Sequence, residues 1–307
     1  MIKATRQLDD PAPLIERFCH QDQCATPIPG VTLLRSCTPT EPLPAVYEPM
    51  LCLVAQGSKR TLLGDTVFEY GAGDYLIASV DLPISGEILN ASPESPYLAM
   101  TLALNIDTLT ELLLALPTQP VSNHLSIGLS VSQPPPTLLD AITRLLRLLE
   151  RPDDIPILAP LVEREILYLL LTGEHGGTLR QIAAGEGHLC RISKAIAWIR
   201  EHYADSLQIE TLAEIASMST SAFHRHFKAV TAMSPLQFQK TIRLQEARRL
   251  LLARHADAAS VGFTLGYQSP SHFSREYARM FGAPPRKDIA AIRRAEADRH
   301  NGITAPV

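Results

Sequence analysis

The stretch STSAFHRHFKAVTAMSP, Ser219 to Pro235, returns fifty positions later as SPSHFSREYARMFGAPP, Ser269 to Pro285. Ser219/Ser269, Ser221/Ser271, Phe223/Phe273, Arg225/Arg275, Phe227/Tyr277 and Pro235/Pro285 stand in register. A duplicated element of this size is best read as one supersecondary unit used twice. In the first copy Phe223, Phe227 and Val230 recur at i, i+4, i+7 and must face a core, which leaves Ser221, His224 and Arg225 on the opposite face of a helix. In the second, Phe273, Tyr277 and Phe281 leave Ser271, His272 and Arg275 outward. An outward arginine with polar neighbours near a helix N-terminus can enter the major groove of double-stranded DNA and bond guanine bidentately, or reach a phosphate. Either arginine alone reads as a solvated surface charge; the duplication turns the balance toward DNA recognition.

Each such helix needs a partner helix and a tight turn to present it. A helix-turn-helix takes a small residue where the helices cross and a small residue or Gly in the turn, positions filled by Ala213 and Ser217 in the first copy and by Gly262 and Gly266 in the second. Ser219 and Ser269 are good N-caps, and Pro270 sits at the first helical position. Periodicity predicts helices over 193–203, 211–217, 220–230, 235–253, 257–265, 270–281 and 286–294. The helix between the copies spans about 28 Å at 1.5 Å per residue, close to the roughly 34 Å between successive major-groove segments on one face of B-DNA. One monomer is therefore expected to read two adjacent turns. Arg243, on that connecting helix, is expected to be a structural or phosphate contact rather than a base reader.

The whole chain of 307 residues, 46% hydrophobic and 20% charged, has length for two domains. It contains no apolar run near the roughly 20 residues of a membrane span, and its start lacks a signal-peptide core, so a cytoplasmic protein without membrane contact is expected. The net charge of −4 is unevenly spread: residues 188–307 carry 17 Lys and Arg against 10 Asp and Glu, leaving residues 1–187 at −11. That asymmetry fits a basic DNA-facing module tied to an acidic partner domain, although two solvated surfaces of different sign would produce it too. The five cysteines, Cys19, Cys24, Cys37, Cys52 and Cys190, include no CxxC. Their odd number and spacing give neither a disulfide framework nor a zinc pattern, so they are read as free thiols.

From Gly30 to about Asn105 the pattern is of short strands, VTLLRS, MLCLVAQ, KRTLL, TVFEY, DYLIAS, SGEIL and YLAMTLAL, separated by Gly, Pro and Ser breaks, with Gly64-Asp65 as a two-residue hairpin turn. Such spacing predicts a sandwich or barrel. After a short amphipathic stretch near Pro13–Cys19 and these strands come predicted helices over 107–116, 137–150 and 156–171. The last two form an αα-hairpin whose apolar stripe, Leu145, Leu148 and Leu149, is expected to seat a homodimer, the competing reading being packing on the barrel. The Gly-rich segment 173–191 reads as a linker. The expected domains are thus residues 1–172 for sensing and dimerisation, 192–294 for DNA binding with helix-turn-helices over 211–230 and 257–281, and a tail over 295–307.

Sheet domains of this kind can be metal enzymes, but none of the ten histidines falls among the predicted strands, and no nucleophile triad or phosphate loop is present. The reading is of a non-enzyme without cofactor or metal, whose N-terminal half offers a binding pocket. Cys52, Tyr70 and Tyr75 are the candidate ligand-binding residues, with Tyr97 nearby; ordinary core packing is the competing reading for each. Cys52 reads first as a buried thiol and second as a sensor of electrophiles.

The run SPLQFQKTIRLQEARRLLLA, the stretch VGFTLGYQSPSHFSREYARMFGAPP and the paired helix-turn-helices resemble the DNA-binding domain of AraC/XylS-type transcriptional regulators over about residues 193–292. The run from Tyr47 to Ile88 also resembles the cupin-like sensory half of one branch of that family, which includes aldehyde-responsive members. The chain departs from the pattern at Ser217, where a turn Gly is frequent, and at Lys287-Asp288, where an aromatic-Arg pair is usual; the second departure is expected to loosen the final helix. The resemblance implies an α+β chain, a β-sandwich or barrel with a helical hairpin followed by an all-α domain. It implies a regulator of transcription that binds a DNA operator under control of a small-molecule effector, as a homodimer, with RNA polymerase as a further partner. The alternative is a DNA-binding regulator whose N-terminal domain docks a protein and binds no small molecule.

Overall fold

The computed structural model describes residues 10–117, 127–185, 187–254 and 257–302. The chain forms two compact units, one of Met1–Ile196 with Ala213–Ser234, the other of Ala197–Leu212 with Pro235–Val307.

The first unit is built on two antiparallel sheets. Ten strands are described: β1 (Gln23–Ala25), β2 (Val31–Ser36), β3 (Leu43–Tyr47), β4 (Met50–Gln56), β5 (Ser58–Leu63), β6 (Thr66–Gly71), β7 (Tyr75–Ala78), β8 (Leu82–Asn90), β9 (Tyr97–Ala103) and β10 (Leu129–Ser132). One sheet has the order β1-β2-β9-β4-β7-β10, the other β3-β8-β5-β6. The β5–β6 hairpin turns on Gly64-Asp65, with Leu63 opposite Thr66, and Gly64 supplies the positive φ of +57° that a two-residue turn requires. Strands β1, β3 and β10 lie beyond the sequence pattern. In β3 and β8 the prolines 44 and 83 mask the strand signal; β3 is an edge strand, where Pro44 disturbs no inner ladder.

Side-chain alternation gives the six-stranded sheet two different faces. Leu51 and Leu53 of β4, and Leu98, Met100 and Leu102 of β9, enter a core shared with helices; Cys52 and Val54 turn the other way. The helical layer consists of α1 (Ala12–Phe18), α2 (Ile106–Ala115), α3 (Pro136–Arg147) with a 3-10 turn Leu148–Glu150, α4 (Ile155–Thr172) and α5 (Gly176–Ala183). Asn105 caps α2 by accepting from the Thr108 N–H at 3.1 Å.

Two expectations are corrected here. The stripe on α3 is not left for a second copy: Leu145 is 0% exposed, and Leu148 and Leu149 are also buried, packed into the core of their own chain. The helix satisfies its apolar face against the sheet and α4, which periodicity alone cannot distinguish from an intermolecular contact. Nor is 173–191 an open linker. Leu179 and Ala183 bury the inner face of α5, while the glycines that suggested flexibility stand at its start and end. The next helix, α6 (Gly187–Glu201), begins within the same segment.

Helices α7 (Ile209–Ile215) and α8 (Thr220–Thr231) follow, then α9 (Pro235–Arg254), α10 (Ala258–Thr264), α11 (Pro270–Phe281) and α12 (Pro285–Gly302). In the second unit Leu244, Ala247, Leu251, Val261, Leu265, Phe273, Tyr277 and Ile289 form one core. Asp288 does not loosen α12. Its carboxylate accepts from Arg248 Nε and Nη2 at 2.9 and 2.8 Å and from the Tyr277 hydroxyl at 2.7 Å, with both charged side chains nearly buried. The Arg248 guanidinium also lies over the Phe281 ring at 4.6 Å. The fork of donors on arginine matches a carboxylate, so the departure at 288 installs a different anchor. Among the described residues no helix is long and apolar enough to cross a membrane.

Candidate nucleic-acid interface

The two helix-turn-helices are closed by equivalent bonds. In the first, the Ser217 N–H donates to the Glu214 carbonyl at 2.8 Å and the Met218 N–H to Ala213 at 2.9 Å; in the second, Gly266 donates to Phe263 and Tyr267 to Gly262, both at 3.0 Å. These bonds end the leading helix in a left-handed residue, Ser217 at φ +50° and Gly266 at φ +83°. Ser219 and Ser269 then cap the following helices, accepting from the N–H of Ala222 and His272 at 3.4 Å in each case. The far ends match as well: Ala232 and Gly282 take positive φ and donate to the carbonyls of Lys228 and Ala278 at 2.9 Å. Gly262 sits against Phe273, 3.1 Å from where its missing Cβ would be, so the crossing requires a small residue.

On α8 the buried side chains are Phe223, His226, Phe227 and Val230, and on α11 Phe273 and Tyr277. Ser221, His224, Arg225, Ser271, His272 and Arg275 are all exposed. Among the described residues neither arginine is engaged by a carboxylate in a salt bridge: Arg225 Nη2 lies 3.3 Å from His226 Nε2, and Arg275 Nε donates to the Ser271 carbonyl at 3.3 Å. His272 is the least free of the six, edge-on to Tyr267 at 5.7 Å and 3.9 Å from Glu276.

Two supporting residues escape sequence reasoning. Glu276, one position after Arg275, accepts from Lys240 Nζ and from the Tyr267 hydroxyl, each at 3.2 Å. Burial, and then Glu276, pushes the Tyr267 hydroxyl far above the usual phenol range. His226 is on the buried face of α8, stacked on His188 at 4.1 Å. Burial, the neighbouring His188 and Arg225 together hold its pKa below the ordinary histidine value. Adjacent to an outward arginine, a histidine reads as one more surface polar group; only its ring partner reveals otherwise. Arg243 is structural, donating from Nε to the Tyr203 carbonyl and from Nη2 to Asp205 at 2.7 Å.

The candidate ligand residues divide between two faces of the six-stranded sheet. Tyr75 belongs to the core on the helical side, edge-on to His175 at 5.9 Å. Cys52 and Tyr70 are buried between the sheets, and burial raises both the thiol and the phenol. Tyr70 exchanges a hydrogen bond with Thr61 at 3.0 Å. The side chains of Tyr47, Lys59 and Tyr97 join that group: the Lys59 ammonium stands over the Tyr47 ring at 5.5 Å. Among the described residues the buried Tyr97 hydroxyl has no hydrogen-bond partner. Lys59 was hidden in the sequence by its neighbour Arg60, which faces outward to Glu69 and Glu87. Among the described residues no group of three or more His, Cys, Asp and Glu is placed to hold a metal ion.

Residues 27–178 match the family model of the AraC-type transcriptional regulator N-terminus, and residues 212–290 match that of a helix-turn-helix domain. The transcriptional activator RhaS of Escherichia fergusonii is 30% identical over 152 residues, 48% of this chain and 53% of RhaS. RhaS of Salmonella schwarzengrund is 30% identical over 155 residues, 49% of this chain and 54% of that protein. The chain thus spans about half the length of the curated relatives it matches. Among solved structures, ToxT of Vibrio cholerae with an unsaturated fatty acid bound is similar over 84% of this chain and 94% of ToxT, with a TM-score of 0.54 and 11% identity, a likeness of fold.

Proposed function

The chain belongs to the AraC-type transcriptional regulators, and on that premise we propose that it binds a double-stranded DNA operator with α8 and α11, under control of a small-molecule effector held between its sheets. The observation that carries the DNA reading is the matched pair of turns and caps, which presents Arg225 and Arg275 at equivalent helix positions, exposed and, among the described residues, without a carboxylate partner in a salt bridge. Ser221, His224, Ser271 and His272 supply the neighbouring polar contacts to bases and phosphates. The DNA partner assigns the protein to the compartment that holds the genome, the cytoplasm expected from the sequence, and RNA polymerase is the machinery such a regulator addresses.

The effector reading rests on the group between the sheets. A buried tyrosine hydroxyl without a partner is costly, and among the described residues that of Tyr97 has none, in a group that shares Tyr47 and Cys52 with Lys59. A small molecule with an acidic or polar head would satisfy the Tyr97 hydroxyl and the Lys59 ammonium, with Cys52 and Tyr70 as further contacts. The fatty acid of ToxT supports the idea that a fold of this kind can house an acid. The alternative, a domain that docks a protein and takes no small molecule, offers no account of the Tyr97–Lys59 group. Self-association passes from α3 to α4, whose Ile157, Leu161 and Tyr168 are 70%, 61% and 43% exposed on one face. Arg164 and Glu111 flank that face, a mixed-charge rim that a two-fold contact can pair with itself.

The test is selection of DNA fragments by the full chain, followed by footprints of Arg225→Ala and Arg275→Ala. Each substitution should weaken specific binding by about 1–3 kcal/mol if bidentate to guanine, with loss of protection over a different half of the site. Folded variants with unchanged footprints would remove α8 and α11 from the DNA.

A further inference from the structure

Cys19 ends α1 and Cys24 lies in the edge strand β1, yet their sulfur atoms are 2.7 Å apart. Four residues separate them in sequence, and the turn between them holds both thiols toward the Gln21 carbonyl, at 3.1 Å from Cys19 and 3.7 Å from Cys24. Cys19 is fixed: it is 0% exposed, its N–H donates to Ile15 at 2.9 Å, and its sulfur also approaches the Leu33 carbonyl at 3.6 Å. Cys24 is held by the β1–β2 ladder opposite Leu33 but is partly open to solvent. The pair precedes the residues that match the regulator N-terminal family model, which begin at 27.

A disulfide needs its sulfurs about 2.05 Å apart, so this pair can close with a small side-chain movement while α1 and β1 stay in place. We propose that Cys19 and Cys24 are a reversible oxidation site, which a hydroperoxide converts to an intramolecular disulfide that staples α1 to the edge of the six-stranded sheet.

The two thiols differ in the way such a reaction requires. Burial pushes Cys19 up to about 12, so it stays protonated. Burial opposes ionisation of Cys24 as well, but hydrogen bonds from Cys19 and from the backbone at Gln21 and His20 outweigh it and lower the thiol. The Cys24 thiolate attacks the terminal oxygen of the peroxide ROOH; the O–O bond breaks, ROH leaves with one proton, and Cys24 becomes the sulfenic acid. The Cys19 sulfur then attacks the Cys24 sulfur; the S–O bond breaks, and hydroxide leaves with the Cys19 proton as water. Two thiols and ROOH give one disulfide, ROH and H2O, the sulfurs losing the two electrons that the peroxide gains. A dithiol reductant reverses it.

The experiment treats the full chain with one equivalent of hydrogen peroxide, blocks free thiols with N-ethylmaleimide under denaturing conditions, and maps the peptides by mass. The expected product is 2 Da lighter, takes three maleimides instead of five, and carries the link in a peptide joining residues 19 and 24. Dithiothreitol should restore all five sites. In Cys19→Ser, which lacks the resolving thiol, dimedone should tag Cys24. Five alkylated thiols after peroxide, a disulfide mapped to another pair, or Cys24 recovered as sulfinic acid in the unsubstituted chain would each overturn the proposal; the mapping on that chain stands even where a variant fails to fold.

Discussion

The carbonyl of Val230, in the last turn of α8, accepts a hydrogen bond from the backbone N–H of Gly128 at 2.8 Å, and the Gly128 carbonyl accepts in turn from the N–H and hydroxyl of Ser79 at 2.9 and 3.0 Å. Ser79 directly follows β7, so a single residue, Gly128, connects the sheet to α8 within one compact unit. A Cβ at Gly128 would fall 3.0 Å from Val80 Cγ2 and 3.4 Å from Leu82 Cδ1. Gly128→Val is expected to push this segment off the helix. Amide exchange should accelerate at residues 228–232 and stay unchanged in α11; equal protection in variant and parent would show that the bond does not hold α8.

The left-handed turn residues give opposite expectations in the two copies. Ser217 carries a side chain at positive φ, which Gly would relieve, so Ser217→Gly should stabilise by about 0.5–1 kcal/mol net of the added chain entropy. Gly266→Ala should destabilise by more than about 2 kcal/mol, because its Cβ would lie 2.0 Å from the Ala204 carbonyl oxygen. Denaturant midpoints of both variants check the signs.

Leu145 and Leu161 separate core from interface. Leu145→Glu buries an unpaired carboxylate among aliphatic side chains and should cost more than about 4 kcal/mol, leaving little folded protein. Leu161→Glu with Ile157→Glu, both exposed, should keep the fold and yield a monomer in sedimentation. A folded double variant that still dimerises with parental affinity would move the contact away from α4.

Acid should weaken the unit that carries α8. His226 has its folded pKa held below the ordinary 6.5, so below that pH the unfolded chain binds the proton more readily. Stability is then complete above about pH 6.5 and falls as pH drops toward the folded value. His175, lowered by burial, contributes with the same sign. His226→Gln should therefore flatten the melting temperature between pH 7.5 and 5.5 without abolishing its slope; an unchanged slope would remove His226 as a source.

What the sequence made legible follows the range of the interactions. Helices α8 and α11, the Gly64-Asp65 turn and most strands could be read because their signals lie within a few residues: the i, i+4, i+7 apolar positions, alternation, the serine caps. The choice between core and interface for Leu145 could not, since both bury the same stripe. Nor could the bond between Arg248 and Asp288, forty residues apart, or the stacking of His226 on His188, because each depends on which helices meet. Tyr75 and Tyr70 looked equivalent as aromatics near Cys52, yet they belong to strands of different sheets, and Tyr75 turns into the core shared with the helices while Tyr70 does not. Lys59 and Arg60 show strand alternation at adjacent positions, one inward and one paired outward.

The Arg248–Asp288 pair also makes the unit around α11 sensitive to unfinished synthesis. A chain that stops before residue 288 would still contain α11 with all its exposed side chains, but its nearly buried guanidinium would face no carboxylate and Tyr277 would lose its acceptor. Leaving such a charge unpaired costs about 3–5 kcal/mol, a large part of the stability of a small helical unit. Truncated products would then present an unfolded segment to proteases and would not persist.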